Sequence, residues 1–238
     1  TKRNLNTIQH LADKGVNTIS DNQKAVKEAS YIILAVKPFQ IKDIVADIKP
    51  SLIAGQHTII SVATGVWIKD LEEMLSADFS LFRAMPNTAI SIQQSMSCIC
   101  ANAKAKDQVN YVTALFDQLG KSIVIDEKLM DAVTAVSGSG PAYVFAFLEA
   151  MQSASEKLGL DAQSSRKLAY ATLEGAIQLA QNSSEPASVL RERVTSKGGT
   201  TAAALDVLNQ EAWHAILVKA IAAANERGKV MGDELGKN

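Results

Sequence analysis

The chain has 238 residues, with 24 Lys+Arg against 25 Asp+Glu and a formal net charge of -1, which fits either one large domain or two modest ones. Its 47% hydrophobic and 21% charged content supports a packed core and excludes a disordered, solvating segment. A sequence pI near 6.3 leaves no basic footprint for nucleic acid or an anionic membrane, and the longest apolar runs, 31–36 and 215–224, fall far short of the roughly 20 residues that cross a bilayer.

From residue 1 to about 126, short β-rich runs alternate with helical patterns, the signature of βαβ units and a mainly parallel sheet. Strands are predicted over 17–20, 31–36, 58–63, 81–85, 96–101 and 123–125. The run Ile32-Ile33-Leu34-Ala35-Val36 is apolar at every position, which predicts a central strand covered on both faces. Apolar residues three and four apart at Leu5, Ile8 and Leu11, at Ile41, Ile44, Val45 and Ile48, and at Leu71, Met74 and Leu75 predict surface helices with one buried stripe. After residue 126 no β run returns. Helices are predicted over 142–158, 162–181, 200–208 and 211–235, so the chain divides into an α/β domain over 1–126 and an all-α domain over 127–238. The helices carry small residues on several faces, as at Ala146, Ala150 and Ala154 or Ala169, Ala176 and Ala180. That pattern suggests burial against a second copy of the chain, with a compact monomeric bundle as the alternative. The polar tail over 232–238 reads as a frayed end.

Three histidines, His10, His57 and His214, show no spacing for metal ligands or for a nucleophile and its base, and no metal site is expected. Cys98 and Cys100 share one face of a strand and read as small buried hydrophobes. Two cysteines make no disulfide framework, which points to a reducing compartment, the cytoplasm.

Chain punctuation is more telling. Ala35-Val36-Lys37-Pro38 and Arg83-Ala84-Met85-Pro86-Asn87-Thr88 each end a strand at the carboxyl edge of the sheet, where ligands bind in open α/β folds. The helical half has two glycine-bearing helix starts, Ser137-Gly138-Ser139-Gly140-Pro141 and Thr195-Ser196-Lys197-Gly198-Gly199-Thr200-Thr201. Hydroxyls and uncovered backbone N–H groups at the positive end of a helix dipole can hold a carboxylate or phosphate. Ordinary N-caps use the same residue types, so both uses stay open on these residues alone.

Taken in order and spacing, Ala35-Val36-Lys37-Pro38, Arg83 to Thr88, Val136 to Tyr143 and Ser196 to Thr201 resemble pyrroline-5-carboxylate reductase, over nearly the whole chain. The resemblance implies a Rossmann-type N-terminal domain that binds NADPH or NADH, and a helical C-terminal domain that intertwines with a partner's into a dimer, often assembled into decamers. It implies reduction of 1-pyrroline-5-carboxylate to L-proline, the last step of proline biosynthesis. By the same resemblance Asn22, Ala35, Val36, Lys37 and Pro38 line the nucleotide crevice with Met85, Pro86 and Asn87 nearby. Lys2 and Arg3 look like the basic pair that holds the 2′-phosphate of NADP. Ser196, Gly198, Gly199, Thr200 and Thr201 would cradle the substrate carboxylate, with Thr201 as the catalytic donor to the imine nitrogen. The chain departs from the family pattern at Lys197 and Ala89, where the family carries proline. It also lacks the first strand and its Gly-x-Gly-x-x-Gly turn, and the expectation is that an N-terminal segment of the natural protein is missing from this chain. Two other readings compete. A β-hydroxyacid dehydrogenase of similar architecture would use a catalytic lysine, for which Lys197 is the candidate. A non-catalytic oligomeric module would have lost cofactor binding.

Overall fold

A computed structural model describes residues 1–236, with side chains as far as Gly232. Residues 237 and 238, the end of the tail expected to fray, lie outside the described residues, and Gly232 at the start of that tail is buried within a helix. The chain packs as two units, one of Thr1–Ser139 with the C-terminal stretch from Ala224, the other of Gly140–Ala223. Packing and composition thus mark different points: the expected division at 126/127 follows the change from strands to helices.

Among the described residues the first unit holds five strands, β1 (Tyr31–Leu34), β2 (Thr58–Ser61), β3 (Ser80–Met85), β4 (Ser95–Ala101) and β5 (Gly120–Val124), side by side in that order. With them run the helices α1 (Gln9–Ala12), α2 (Asn22–Lys27), α3 (Ile41–Ile48), α4 (Ile68–Met74), α5 (Val109–Asp117) and α6 (Met130–Val133). β1, β2 and β3 are parallel, β4 runs antiparallel to β3, and β5 is parallel to β4. The reversal at β4 follows from chain length, because the short 86–94 connection can join only antiparallel neighbours, while a parallel return needs a crossover of about a dozen residues or more. Pleating sends alternate residues to opposite faces. Ile59, Leu81, Cys98 and Cys100 therefore join one core, with Val45, Leu71 and Met130, while Ile60, Phe82 and Ile99 join the other, with Val112 and Phe116.

Two sequence expectations need correction. Residues 17–20 form no strand; a backbone hydrogen bond from Lys2 N–H to Ile19 O, 3.2 Å, ties the segment to the N-terminus, but no ladder forms along it. The 31–36 run is not central. Its strand β1 lies at the edge of the described sheet, with Ile33 50% exposed. Continuous apolarity reports how much cover a strand asks for, not its position in the sheet.

The second unit is helical: α7 (Gly140–Lys157), α8 (Ala162–Gln181), α9 (Ala187–Arg193), α10 (Thr200–Gln210) and the first turns of α11 (Trp213–Gly236). α7 and α8 form a hairpin. Gly159, at φ +96°, turns the chain, and the Asp161 carboxylate caps α8 by accepting from Ser164 N–H at 3.0 Å. Hydrogen bonding from the Ser164 hydroxyl, and secondarily from its backbone N–H, holds the Asp161 carboxyl below its ordinary range. Among the described residues no helix is long and apolar enough to cross a membrane.

Candidate functional site

Because Leu34, Ser61 and Arg83 stand in register across three parallel strands, β1, β2 and β3 release their chains at a common carboxyl edge. Ala35, Val36, Lys37 and Pro38 leave β1 there, and Pro38 opens a tight helical turn whose first N–H it could not have used. Lys37 is exposed, its backbone N–H donating to Gln40 Oε1 at 3.3 Å. Along β1 lies an open groove of about 390 Å³ lined by Thr1, Asn22, Ala25, Ala35 and Val36 among others. At its mouth Thr1 Oγ1 donates to Asn22 Oδ1 at 2.5 Å, and Asn22 Nδ2 donates to Asp47 Oδ2 at 2.8 Å. Lys2 and Arg3 follow directly and are exposed. An amide at the rim, an apolar wall and two free-standing cations suit a phosphate-bearing nucleotide, so the residues present fit the cofactor that the resemblance implies.

The structure thus brings Asn22, Ala35 and Val36 into one groove, with Lys2 and Arg3 adjoining it in sequence. Lys37 and Pro38 continue from its rim, while Met85 ends β3 at the same sheet edge and Pro86 and Asn87 follow it. The sequence reading missed 62–65, which leave β2 between these two turns. Thr64 Oγ1 lies 3.9 Å from Met85 Sδ, and Gly65 takes φ +77°. The available signal was a small residue, a hydroxyl and a glycine directly after a strand.

Of the two glycine-bearing helix starts, only one is open. At Ser137 to Gly140 the backbone continues from α6 through a π-helical turn, Thr134–Gly138, into α7, and Ser139 N–H donates to Thr134 O at 2.8 Å. The expected set of uncovered donors is therefore already in use at its leading end. Ser137 turns inward, its hydroxyl donating to Met96 O at 3.2 Å.

At α10 the start is uncapped. Gly199 is the N-cap residue, no side chain accepts from the first turn, and Gly198 sits at φ +71° in the left-handed region that glycine tolerates. A Cβ on Gly199 would lie 2.5 Å from Ser196 Oγ and 3.2 Å from Ser196 O, so a side chain there would displace the Ser196 hydroxyl. Gly199 N–H donates to Ser196 O at 3.0 Å, leaving the Thr200 and Thr201 backbone donors facing out of the helix end. Ser196, Lys197, Gly198 and Thr200 are exposed and Thr201 is half-buried. A carboxylate placed here would meet backbone donors, hydroxyls and the positive end of an 11-residue helix.

Other titratable groups serve structure. Arg83 is 3% exposed, with Nη1 3.4 Å from Glu127 Oε1, Nη2 3.9 Å from Asp131 Oδ1 and its guanidinium 5.2 Å over the Trp67 ring. Burying that cation requires such partners. Cys98 and Cys100 are free and buried, and burial pushes the Cys100 thiol up to about 12. Among the described residues no group of three His, Cys, Asp or Glu side chains is placed to hold a metal.

Against known proteins, residues 127–231 match the family model described as pyrroline-5-carboxylate reductase dimerisation. Residues 1–65 match the model described as NADP oxidoreductase coenzyme F420-dependent. The chain is 36% identical over 224 residues to the pyrroline-5-carboxylate reductase of Pseudomonas aeruginosa, covering 93% of this chain and 82% of that one. The solved structure of a Coxiella burnetii pyrroline-5-carboxylate reductase superposes with a TM-score of 0.90 at 35% identity, covering 97% of this chain and 86% of that one. A Plasmodium falciparum pyrroline carboxylate reductase with NADP bound gives a TM-score of 0.84 at 32% identity, covering 91% and 82%.

Proposed function

The chain belongs to the pyrroline-5-carboxylate reductase family, and from that membership we propose how its own residues reduce 1-pyrroline-5-carboxylate to L-proline. NADPH or NADH, when bound, supplies a hydride to the imine carbon. The chain has to hold the dinucleotide, fix the substrate ring and offer a donor to the imine nitrogen, a task of orientation and preorganised dipoles that needs no strong base. Asn22, Ala35, Val36, Lys37 and Pro38 line the nucleotide crevice, Met85, Pro86 and Asn87 its nicotinamide end, and Lys2 and Arg3 hold a 2′-phosphate. Ser196, Thr200 and the Gly198 amide bind the substrate carboxylate with the outward-facing N–H groups of Thr200 and Thr201, Gly199 N–H being held by Ser196 O, and Thr201 donates to the imine nitrogen.

The observation that carries this reading is the uncapped, glycine-led start of α10 with two consecutive threonines. A general-base mechanism would ask for a histidine or a carboxylate there, and the segment 196–201 has none. Lys197 would be the active group of a hydroxyacid dehydrogenase; it is exposed on the loop ahead of the helix. Oxidation of NADPH followed with pyrroline-5-carboxylate and with a panel of 3-hydroxy acids separates the two. Turnover of the imine alone, surviving Lys197→Ala, is expected; turnover of a hydroxy acid abolished by that substitution would replace this reading.

Self-association resides in the helical half, 127–238, and we propose a dimer that assembles further into a decamer, which light scattering on the purified protein measures directly. Two free, buried cysteines suit the reducing cytoplasm.

A further inference from the structure

The motif from Val136 to Tyr143 leaves Ser137 without a role in ligand binding, yet its side chain is fixed by two bonds. Asn87 opens the turn after β3. Its backbone N–H donates to Ser95 Oγ at 3.1 Å, and its side-chain Oδ1 accepts from Ala89 N–H at 3.0 Å. Since Ala89 N–H can only donate, the carboxamide is oriented, and Nδ2 faces the other way, where it donates to Ser137 Oγ at 3.4 Å. Ser137 can accept because its own proton is committed to Met96 O in β4 at 3.2 Å. The next residue adds a contact: a Cβ on Gly138 would lie 2.8 Å from Met85 Cε, so glycine lets that methyl lie against the π-helical turn and a larger residue would shift the methionine that starts the same turn. The extra residue of that π turn, closed by the Ser139 N–H to Thr134 O bond, is what sets Ser137 and Gly138 side by side against 85–87.

We infer that Ser137 is a positioning residue for nicotinamide-nucleotide binding: it locks the Asn87 carboxamide, and Gly138 seats Met85, so that the 85–87 turn presents a rigid wall to the cofactor. This rests on the reading that 85–87 lines the nicotinamide end of the crevice. It also means that the Asn87 side chain is engaged within the protein, and that the turn meets the cofactor through its backbone and through Met85 and Pro86.

The test uses the full chain as purified, with Asn87→Ala, Ser137→Ala, Ser137→Thr and the double variant N87A/S137A. Nucleotide affinity is read from nicotinamide fluorescence on titration with NADPH, steady-state constants from NADPH oxidation, and folding from the thermal midpoint. Loss of the link should weaken NADPH binding or kcat by about 5-fold, the equivalent of one ordinary hydrogen bond, while KM for pyrroline-5-carboxylate stays within twofold. Ser137→Thr should recover most of the loss, and the double variant should be no worse than N87A alone. A purely structural role would lower the thermal midpoint with both substrates' constants unchanged. If N87A impairs cofactor use but S137A does not, or if the two losses multiply, the positioning role is overturned while the crevice stands. If N87A and S137A both leave NADPH binding and kcat untouched, the positioning role is overturned whether or not the thermal midpoint falls, while failure of the unmodified chain to bind NADPH would overturn the crevice itself. Should S137A not fold, the N87A measurement and the Ser137→Thr comparison decide the same questions.

Discussion

In the sheet unit Ile59, Ile60, Leu81, Phe82 and Ile99 are shut away from solvent, whereas in Gly140–Ala223 the buried residues are Ser165 and Ala169, and Phe145, Leu179, Ile216 and Val218 are more than half exposed. The first unit covers its own apolar surface with helices on both faces of a sheet. The second has long helices whose apolar side chains find no cover within the single chain. Isolated helices gain most of their stability from a packed face, so this half is built to be completed by a second copy, in line with its match to a dimerisation family. A large exposed apolar face and an almost empty core are two sides of one design, because residues that pack a partner cannot also pack the monomer.

The sharpest way to break this contrast is a charge on the helical unit. Leu179→Glu or Ile216→Glu on a true solvent face would change stability by no more than about 0.5 kcal/mol. Buried against a partner, either should dissociate the assembly and cut activity by about 100-fold or more, read by light scattering and NADPH oxidation. Next in size is Phe82→Ala, which opens a cavity in a self-sufficient core. It should cost about 3–5 kcal/mol in urea unfolding, with the sheet unit's loss independent of protein concentration, unlike the charge variants. Thr201→Ala tests the helical unit's chemistry rather than its packing: kcat should fall by about 10- to 100-fold with the oligomer intact, and unchanged kinetics would remove Thr201 from the mechanism. Replacing Lys2 and Arg3 together by alanine should raise KM for NADPH by about 10-fold and leave NADH unaffected, since each exposed charge-assisted contact contributes roughly 1 kcal/mol.

The smallest effect sharpens the sheet side. Cys100 keeps its proton up to about pH 12 when folded, against an ordinary value of 9.0. Its contribution to stability is therefore complete below pH 9 and is lost as pH rises toward 12, where the unfolded thiol ionises and the buried one does not. A thiol reagent should leave both cysteines unmodified at pH 8 until the protein is unfolded; rapid reaction of the native protein would contradict their burial.

Much of this was legible from residue order. The helix expected over 162–181 is found there as α8, because its Asp161 cap and its helix-forming residues are local to the segment. The glycine-led start at 198–201 was readable for the same local reason: positive φ at Gly198 and an uncapped first turn are properties of the segment itself. The other start, at Ser137 to Gly140, looked alike in sequence and differs in space, since its donors are consumed by a π turn continuing from α6. That Thr64 and Gly65 lie between two other turns went unread because it depends on strand order.

Residue order by itself determined the alternation of strands and helices, the change to an all-helical half, the apolar character of each element and the chemistry available at each turn, since these depend on contacts within a few residues. Tertiary structure alone decided that β1 is an edge, that β4 reverses, that Asn87 is held by a serine 50 residues away, and that the helical half keeps its apolar side chains uncovered. Those outcomes are set by which distant segments pair and by the volume left between them, and no local pattern of residues encodes either.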